Sequence, residues 1–245
     1  FAEPEHLVDL NNIDSLKGVC EEGDTLVIGS MTSENDIIGS ELLQEKCALL
    51  PEAAKQIADP QVRNRGTIGG DIAHGDPGND HPALMLALNA AFTLVGPNGS
   101  REVAADDFFL GTFFTALEAD EILTAIRVPA LAAGSGASYK KLKRKTGDYA
   151  TAAAAAVISL SGGVCQSARI SLTNLGPTAM RATEAEAVLT GQAITEDLIN
   201  QAAAKAMEIC EPAEDLRGDA EYKTHMGGEM TRRAIREALH RAGGN

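Results

Sequence analysis

The sequence predicts an α+β protein of two domains, and three observations carry that prediction. A chain of 245 residues can bury two modest cores. Its first half alternates short apolar runs with short amphipathic stretches, the pattern of strands and helices in turn. Between Ala130 and Ala137 the composition falls to Ala, Leu, Gly and Ser alone, which marks a boundary.

The elements follow in order. Leu26, Val27 and Ile28, closed by Gly29, read as a strand. Ser33 is a good N-cap for a helix with Glu34 and Asp36 in its first turn, and Ile37, Ile38 and Leu42 recur at helical spacing. A further helix over Leu50 to Ala58 opens with Pro51 at its first position. Pro82 starts a short apolar helix, Ala83 to Leu88. Ala91 to Val95 and Ser100 to Val103 flank Gly96-Pro97-Asn98-Gly99 as a hairpin, and Ile122 to Val128 is a strand closed by Pro129. Beyond the boundary, Ala152 to Leu160 and Ala168 to Leu175 pair as antiparallel strands through Ser161-Gly162-Gly163. Helices are expected at Glu184 to Thr190, at Glu196 to Ile209 behind the N-cap Thr195, and at Tyr222 to Arg241. The last carries Met226, Met230, Ala234 and Leu239 on one stripe.

Charge and cysteine usage exclude several classes of function. A net charge of −14 leaves no basic surface for a nucleic acid backbone, so any bound phosphate must be held locally. Cys20, Cys47, Cys165 and Cys210 lie far apart without a C-x-x-C pair, and the five histidines form no ligand cluster. Neither a metal nor an iron–sulfur site is expected in this chain. No apolar run is long enough to span a bilayer, and no signal peptide pattern is present, so a soluble cytoplasmic protein is expected. The first residue is Phe1, not Met, from which preceding residues are expected to be missing.

The most informative stretch is Asn64-Arg65-Gly66-Thr67-Ile68-Gly69-Gly70-Asp71-Ile72-Ala73-His74. Three glycines in five positions suggest a loop whose backbone N–H groups converge on an anion, a diphosphate above all. The Gly69 and Gly70 amides and the Thr67 hydroxyl are the expected donors, with Asp71 ordering a ribose or the loop itself. A tight turn capped by Asp71 is the alternative. Residues Gly75 to Pro82 prolong the irregular stretch, and long ordered loops more often cradle ligands than connect elements. Asp80 suits ribose hydroxyls or the N-cap of the following helix. Lys140, Lys141, Lys143, Arg144 and Lys145 form a basic cluster whose default is a solvated strand face. Tyr149 beside Gly147 is placed to stack on a planar ring.

Pro60 to Asp71, Asp107-Phe108-Phe109, Glu121-Ile122-Leu123, Lys145-Thr146-Gly147-Asp148-Tyr149-Ala150 and Asp215-Leu216-Arg217, taken together and in this order, resemble one family. It is the FAD-binding subunit of molybdenum-containing hydroxylases, most of all the medium-subunit type of aerobic carbon monoxide dehydrogenases. The resemblance implies a two-lobed FAD-binding domain of the vanillyl-alcohol-oxidase kind over 1–131, its first lobe truncated here. It implies a C-terminal α+β domain over 137–245, with a three-stranded antiparallel sheet and helices. Two glycine-rich loops hold the FAD diphosphate in that family. Thr67, Ile68, Gly69, Gly70 and Asp71 match the second, and the first is expected upstream of Phe1. The resemblance further assigns Ile57 to the flavin side of the loop, Asp80 to an FAD contact, Leu123 to a residue whose backbone or side chain meets the ring, and Lys140 to the family lysine near it. Tyr149 is similar to the aromatic that shields one flavin face.

It also implies partners: a small subunit with two [2Fe-2S] clusters and a large subunit with the molybdenum cofactor, assembled as a dimer of heterotrimers. Electrons would pass from the clusters through FAD to an external acceptor, in the cytoplasm or at the inner face of the membrane, with carbon monoxide as the substrate of the whole. No catalytic residue of substrate oxidation is assigned to this chain. A stand-alone flavin oxidoreductase and a non-catalytic assembly scaffold are the competing readings.

Overall fold

The computed structural model describes residues 5–243, so the expectations that touch 1–4 and 244–245 lie outside it. β1 (Val19–Glu22) and β2 (Thr25–Gly29) open the chain, followed by short helices α1 (Glu34–Gly39), α2 (Glu41–Lys46), α3 (Leu49–Ala54) and α4 (Pro60–Arg63). Ser33 caps α1 in a reciprocal capping box with Asp36. The run expected as one helix breaks at Ser40, whose extended backbone ends α1 while its hydroxyl caps α2. α3 stops at Ala54, short of the expected Ala58, where the backbone turns left-handed with φ of 43°.

Next come α5 (Ile68–His74), α6 (Asp80–Ala87), the hairpin β3 (Ala91–Gly96) and β4 (Gly99–Ala104), the small hairpin β5 (Phe109–Gly111) and β6 (Phe114–Thr115), and β7 (Ile122–Pro129). β1, β2, β7, β3 and β4 form an antiparallel five-stranded sheet in that order. Its inward residues Leu26, Ile28, Phe92, Leu94 and Ile126 are fully buried against Ile37, Leu50, Ile68 and Ile72 from the helices.

The second half comprises β8 (Ser135–Leu142), β9 (Ala152–Ser161), β10 (Val164–Thr173), β11 (Met180–Arg181), α7 (Thr183–Leu189), α8 (Glu196–Glu208) and α9 (Ala220–Arg241). Its sheet runs β11-β10-β9-β8. The three expected long strands are there, and the two-residue β11 adds an edge. β8 begins at Ser135, inside the stretch read as linker.

β9 explains how the two halves meet. Its run Ala152 to Ala156 is buried on both faces: Ala153 and Ala155 join the first core, while Ala152, Ala154 and Ala156 join the second. α6 packs on the first face and α9 on the other. Methyl side chains keep both layers close, so every residue of α6 is buried although the helix belongs to the first half. Among the described residues no helix is long and apolar enough to cross a membrane.

Candidate functional site

The glycine stretch is helical from Ile68 onward, which corrects the expected loop. Thr67 is the N-cap of α5, and its Oγ1 accepts from Gly70 N at 3.2 Å. Ile68 N donates to Thr32 O at 3.1 Å, Gly69 N to Ser30 O at 2.9 Å and Asp71 N to Thr67 O at 3.0 Å. Of the amides expected to face a diphosphate, Gly69 N is therefore spent on seating the helix behind β2 and Gly70 N on the Thr67 cap. Neither Gly69 nor Gly70 has a positive φ. Gly69 is required for close approach instead: a Cβ there would stand 2.6 Å from Ser30 O and 2.8 Å from Ser30 Cα. Gly70 is different. It is exposed, and a Cβ on it would meet only Thr67 Oγ1, at 3.0 Å.

Above this helix lie two adjoining hollows. One, of about 320 Å³, is lined by Arg65, Thr67, Gly70 and Asp71. The other, of about 280 Å³, is lined by Asp71, Asn79, Asp80, Lys141 and Tyr149 and lies between the two halves of the chain. They share Ile57, Val62 and Asp71. Together they have the concave, partly apolar make-up of a small-molecule site with a few convergent polar groups.

The floor is a buried charge network. Asp80 stands in the first turn of α6 behind the N-cap Asn79, so it does not take the capping role weighed for it. Its Oδ1 accepts from the Tyr139 hydroxyl at 2.5 Å and its Oδ2 from Lys141 Nζ at 2.6 Å. Both charges of the Asp80–Lys141 pair are nearly inaccessible. Burial beside Asp80 pushes the Tyr139 phenol well up, so it stays a proton donor. His81 Nε2 lies 3.0 Å from each Glu34 carboxylate oxygen. Burial opposes charging of His81, but the Glu34 carboxylate prevails and holds it up at about 9, as an imidazolium. Asp71, half-buried at the cavity wall, accepts from His81 N at 3.3 Å. Burial pushes its carboxyl up to about 7, against the pull of His81. The Tyr149 ring closes the far side, 44% exposed, with the Arg217 guanidinium 5.7 Å from its centroid.

Of the expected residues, Ile57, Asp71, Asp80 and Tyr149 line one hollow, and Thr67 and Gly70 join Ile57 and Asp71 at the other. Ile68 and Gly69 are buried beneath. Two of the expected residues, Leu123 and Lys140, line neither hollow. Leu123 is buried in β7 opposite Leu94, within the core of the five-stranded sheet. Lys140 points to the other face of β8, where its ammonium lies 3.8 Å from Glu237 on α9. Alternation along the strand puts its neighbours Tyr139 and Lys141 on the cavity side instead. That signal was available in the sequence, because a buried aromatic at 139 sets the face for 141 and 143. Glu34 and His81 carried no such signal, since 47 residues of chain separate them.

Residues 1–131 match the model of the FAD binding domain in molybdopterin dehydrogenase, and residues 137–238 match that of the CO dehydrogenase flavoprotein C-terminal domain. The chain belongs to the family of molybdopterin dehydrogenase FAD-binding subunits. The carbon monoxide dehydrogenase medium chain of Hydrogenophaga pseudoflava is 59% identical over 98% of this chain and 84% of its own. That of Afipia carboxidovorans is 53% identical over 99% of this chain and 84% of its own. A solved structure of carbon monoxide dehydrogenase from H. pseudoflava, lacking the Mo-pyranopterin moiety of its cofactor, superposes with a TM-score of 0.97. It is 62% identical, covering 98% of this chain and 84% of that one.

The family's cofactor suits these residues on structural grounds. Gly70 leaves open the surface that a side chain would fill, and Gly78 lets the Tyr149 ring approach to where a Cβ would be 3.1 Å from Cδ1. Ile57, Val62 and Tyr149 offer an apolar wall for a planar ring, while the Thr67 hydroxyl offers a donor for anionic oxygens.

Proposed function

We propose that this chain is the flavoprotein subunit of an aerobic carbon monoxide dehydrogenase, with FAD lying across the two hollows on either side of Asp71. The observation that carries the reading is the convergence of Ile57, Asp71, Asp80 and Tyr149, which are up to 92 residues apart in sequence, on one cavity. Thr67, Gly70 and Asp71 serve the diphosphate and ribose side, with Ile68 and Gly69 seating the helix that presents them. Ile57 and Tyr149 flank the ring, and Asp80 holds Lys141 and Tyr139 in place at its edge. FAD when bound supplies the one- and two-electron chemistry. The chain's residues orient it, and the Tyr149 ring limits solvent at its exposed face.

The division into a first domain over 1–131 and a second over 137–245 accords with two cores joined through β9. Substrate oxidation belongs, in this reading, to a large molybdenum-cofactor subunit, and a small subunit with two [2Fe-2S] clusters delivers the electrons. The assembly would be a dimer of heterotrimers in the cytoplasm. The test is to co-express the full-length protein with its two partners. One FAD per copy of this chain, reduced on adding carbon monoxide, is expected. A preparation without bound flavin overturns the reading, and reduction by a substrate in the absence of partners replaces it with a stand-alone oxidoreductase.

A further inference from the structure

The segment between α8 and α9, residues 210–219, is tied down from beneath. Lys223, in the first turn of α9, has a side chain only 1% exposed. Its ammonium donates to Ala213 O at 2.6 Å and lies 2.8 Å from Asp215 Oδ1. A buried ammonium needs such partners, and here both belong to the strap. Asp215 in turn accepts from the Arg217 backbone N at 2.7 Å and from Arg217 Nη1 at 3.1 Å.

Arg217 then reaches across to the turn that carries Tyr149. Its Nη2 donates to Asp148 Oδ1 at 2.8 Å, and the same oxygen accepts from Tyr149 N at 2.9 Å. The guanidinium faces the Tyr149 ring at a cation–π distance, and Gly78 abuts the ring at Cδ1 and Cε1. Arg217 Nε is buried without a hydrogen-bond partner, a cost accepted where the guanidinium is held in one orientation. Neither Arg217 nor Lys223 lines the cavity. Ordering two long cationic side chains is entropically expensive, and what their order secures is the placement of a half-exposed tyrosine.

We propose that Arg217, anchored through Asp215 to the buried Lys223, is a positioning residue that fixes the Tyr149 ring over the cavity. The inference rests on the flavin reading for its consequence and on the chain alone for its mechanics. The strap, a part of the second half that never touches the cavity, thereby sets how closed its exposed face is.

Two readouts on the full-length protein test this, one without flavin and one with it. In flavin-free protein, tryptic cleavage after Lys145 reports opening of the Gly147–Tyr149 turn. Arg217→Gln should accelerate it about tenfold, equivalent to about 1.4 kcal/mol of lost clamping. Lys223→Met should act in the same direction. Arg217→Lys should not restore the slow rate, because an ammonium cannot bridge Asp148 and Asp215 as the planar fork does. With flavin bound, a phenol against the ring quenches its emission. Arg217→Gln should raise emission per bound FAD, and in a Tyr149→Ala background it should add nothing further. Unchanged cleavage and emission in Arg217→Gln would overturn the proposal, as would an emission increase that persists without Tyr149. Should Lys223→Met not fold, the Arg217 variants carry the test. Wild-type protein that takes up no FAD sinks the flavin reading, while the cleavage result still judges the clamp.

Discussion

Gly69 and Gly70 are adjacent and chemically identical, yet the structure predicts opposite outcomes for substituting them. At Gly69 an added Cβ would crowd Ser30 Cβ, O and Cα, 2.6 Å from the oxygen and nearer still to Cβ, and restoring ordinary contacts of 3.4 Å requires α5 to retreat by about 1 Å. The obstacle is backbone, at the end of β2, so it cannot rotate aside. Overpacking of this kind costs about 1–3 kcal/mol. The retreat also stretches the 2.9 Å bond from Gly69 N to Ser30 O, for roughly another 1 kcal/mol. The helix-propensity gain of replacing glycine, up to about 1 kcal/mol, offsets only part of this. Gly69→Ala should therefore lose about 2 kcal/mol in urea unfolding of the flavin-free protein. Gly70→Ala meets only Thr67 Oγ1, and the helix-propensity gain of replacing glycine offsets the small shift asked of that cap, so it should be close to neutral. Gly70→Val should keep the fold while its side chain fills the hollow, weakening FAD binding by at least about tenfold in a titration. A Gly69→Ala protein as stable as wild type would refute the seating argument. A Gly70→Val protein that retains normal FAD affinity would refute the placement of the flavin.

Three further outcomes follow from the charge network. Because the Asp71 carboxyl is raised to about 7 from an unfolded value near 3.8, the folded flavin-free protein holds the extra proton and loses stability as pH rises between those values. Asp71→Asn should flatten the dependence of Tm on pH over that window, and an unchanged slope would contradict the assignment. His81, raised to about 9 from 6.5, contributes stability that is complete below 6.5 and lost as pH rises through 9. Glu34→Gln should remove that slope in the same scans. Lys141→Met breaks a buried pair and should cost about 3–5 kcal/mol, whereas Lys140→Met, next to it on the outer face, should cost under about 1 kcal/mol. Equal losses in the two denaturant curves would mean that the register of β8 is wrong.

Much of the fold was legible because it is locally encoded. Ser33 and Thr195 declare helix starts through their own hydroxyls, and Pro97-Asn98 between Gly96 and Gly99 closes a hairpin without help from elsewhere. The run Ala152 to Ala156 shows the limit of local preference, since alanine is the best helix former and here builds a strand. Its apolar continuation into Val157 and Ile158 and the glycine turn beyond gave the strand away. The site was half legible. Composition marks the glycine stretch but not its conformation, because one helical turn and a polar loop share the composition Thr-Ile-Gly-Gly-Asp.

What the sequence by itself determined was most of the longer helices and strands and the motif residues that mark the family. Only the tertiary structure decided which atoms of those motifs face the cavity. The Gly69 amide is spent on Ser30, Lys141 rather than Lys140 meets Asp80, and Leu123 belongs to the core. The physical reason is common to all three. Which backbone amides remain free, and which face of a strand is inward, depend on partners distant in the chain, and short-range pattern carries no record of them.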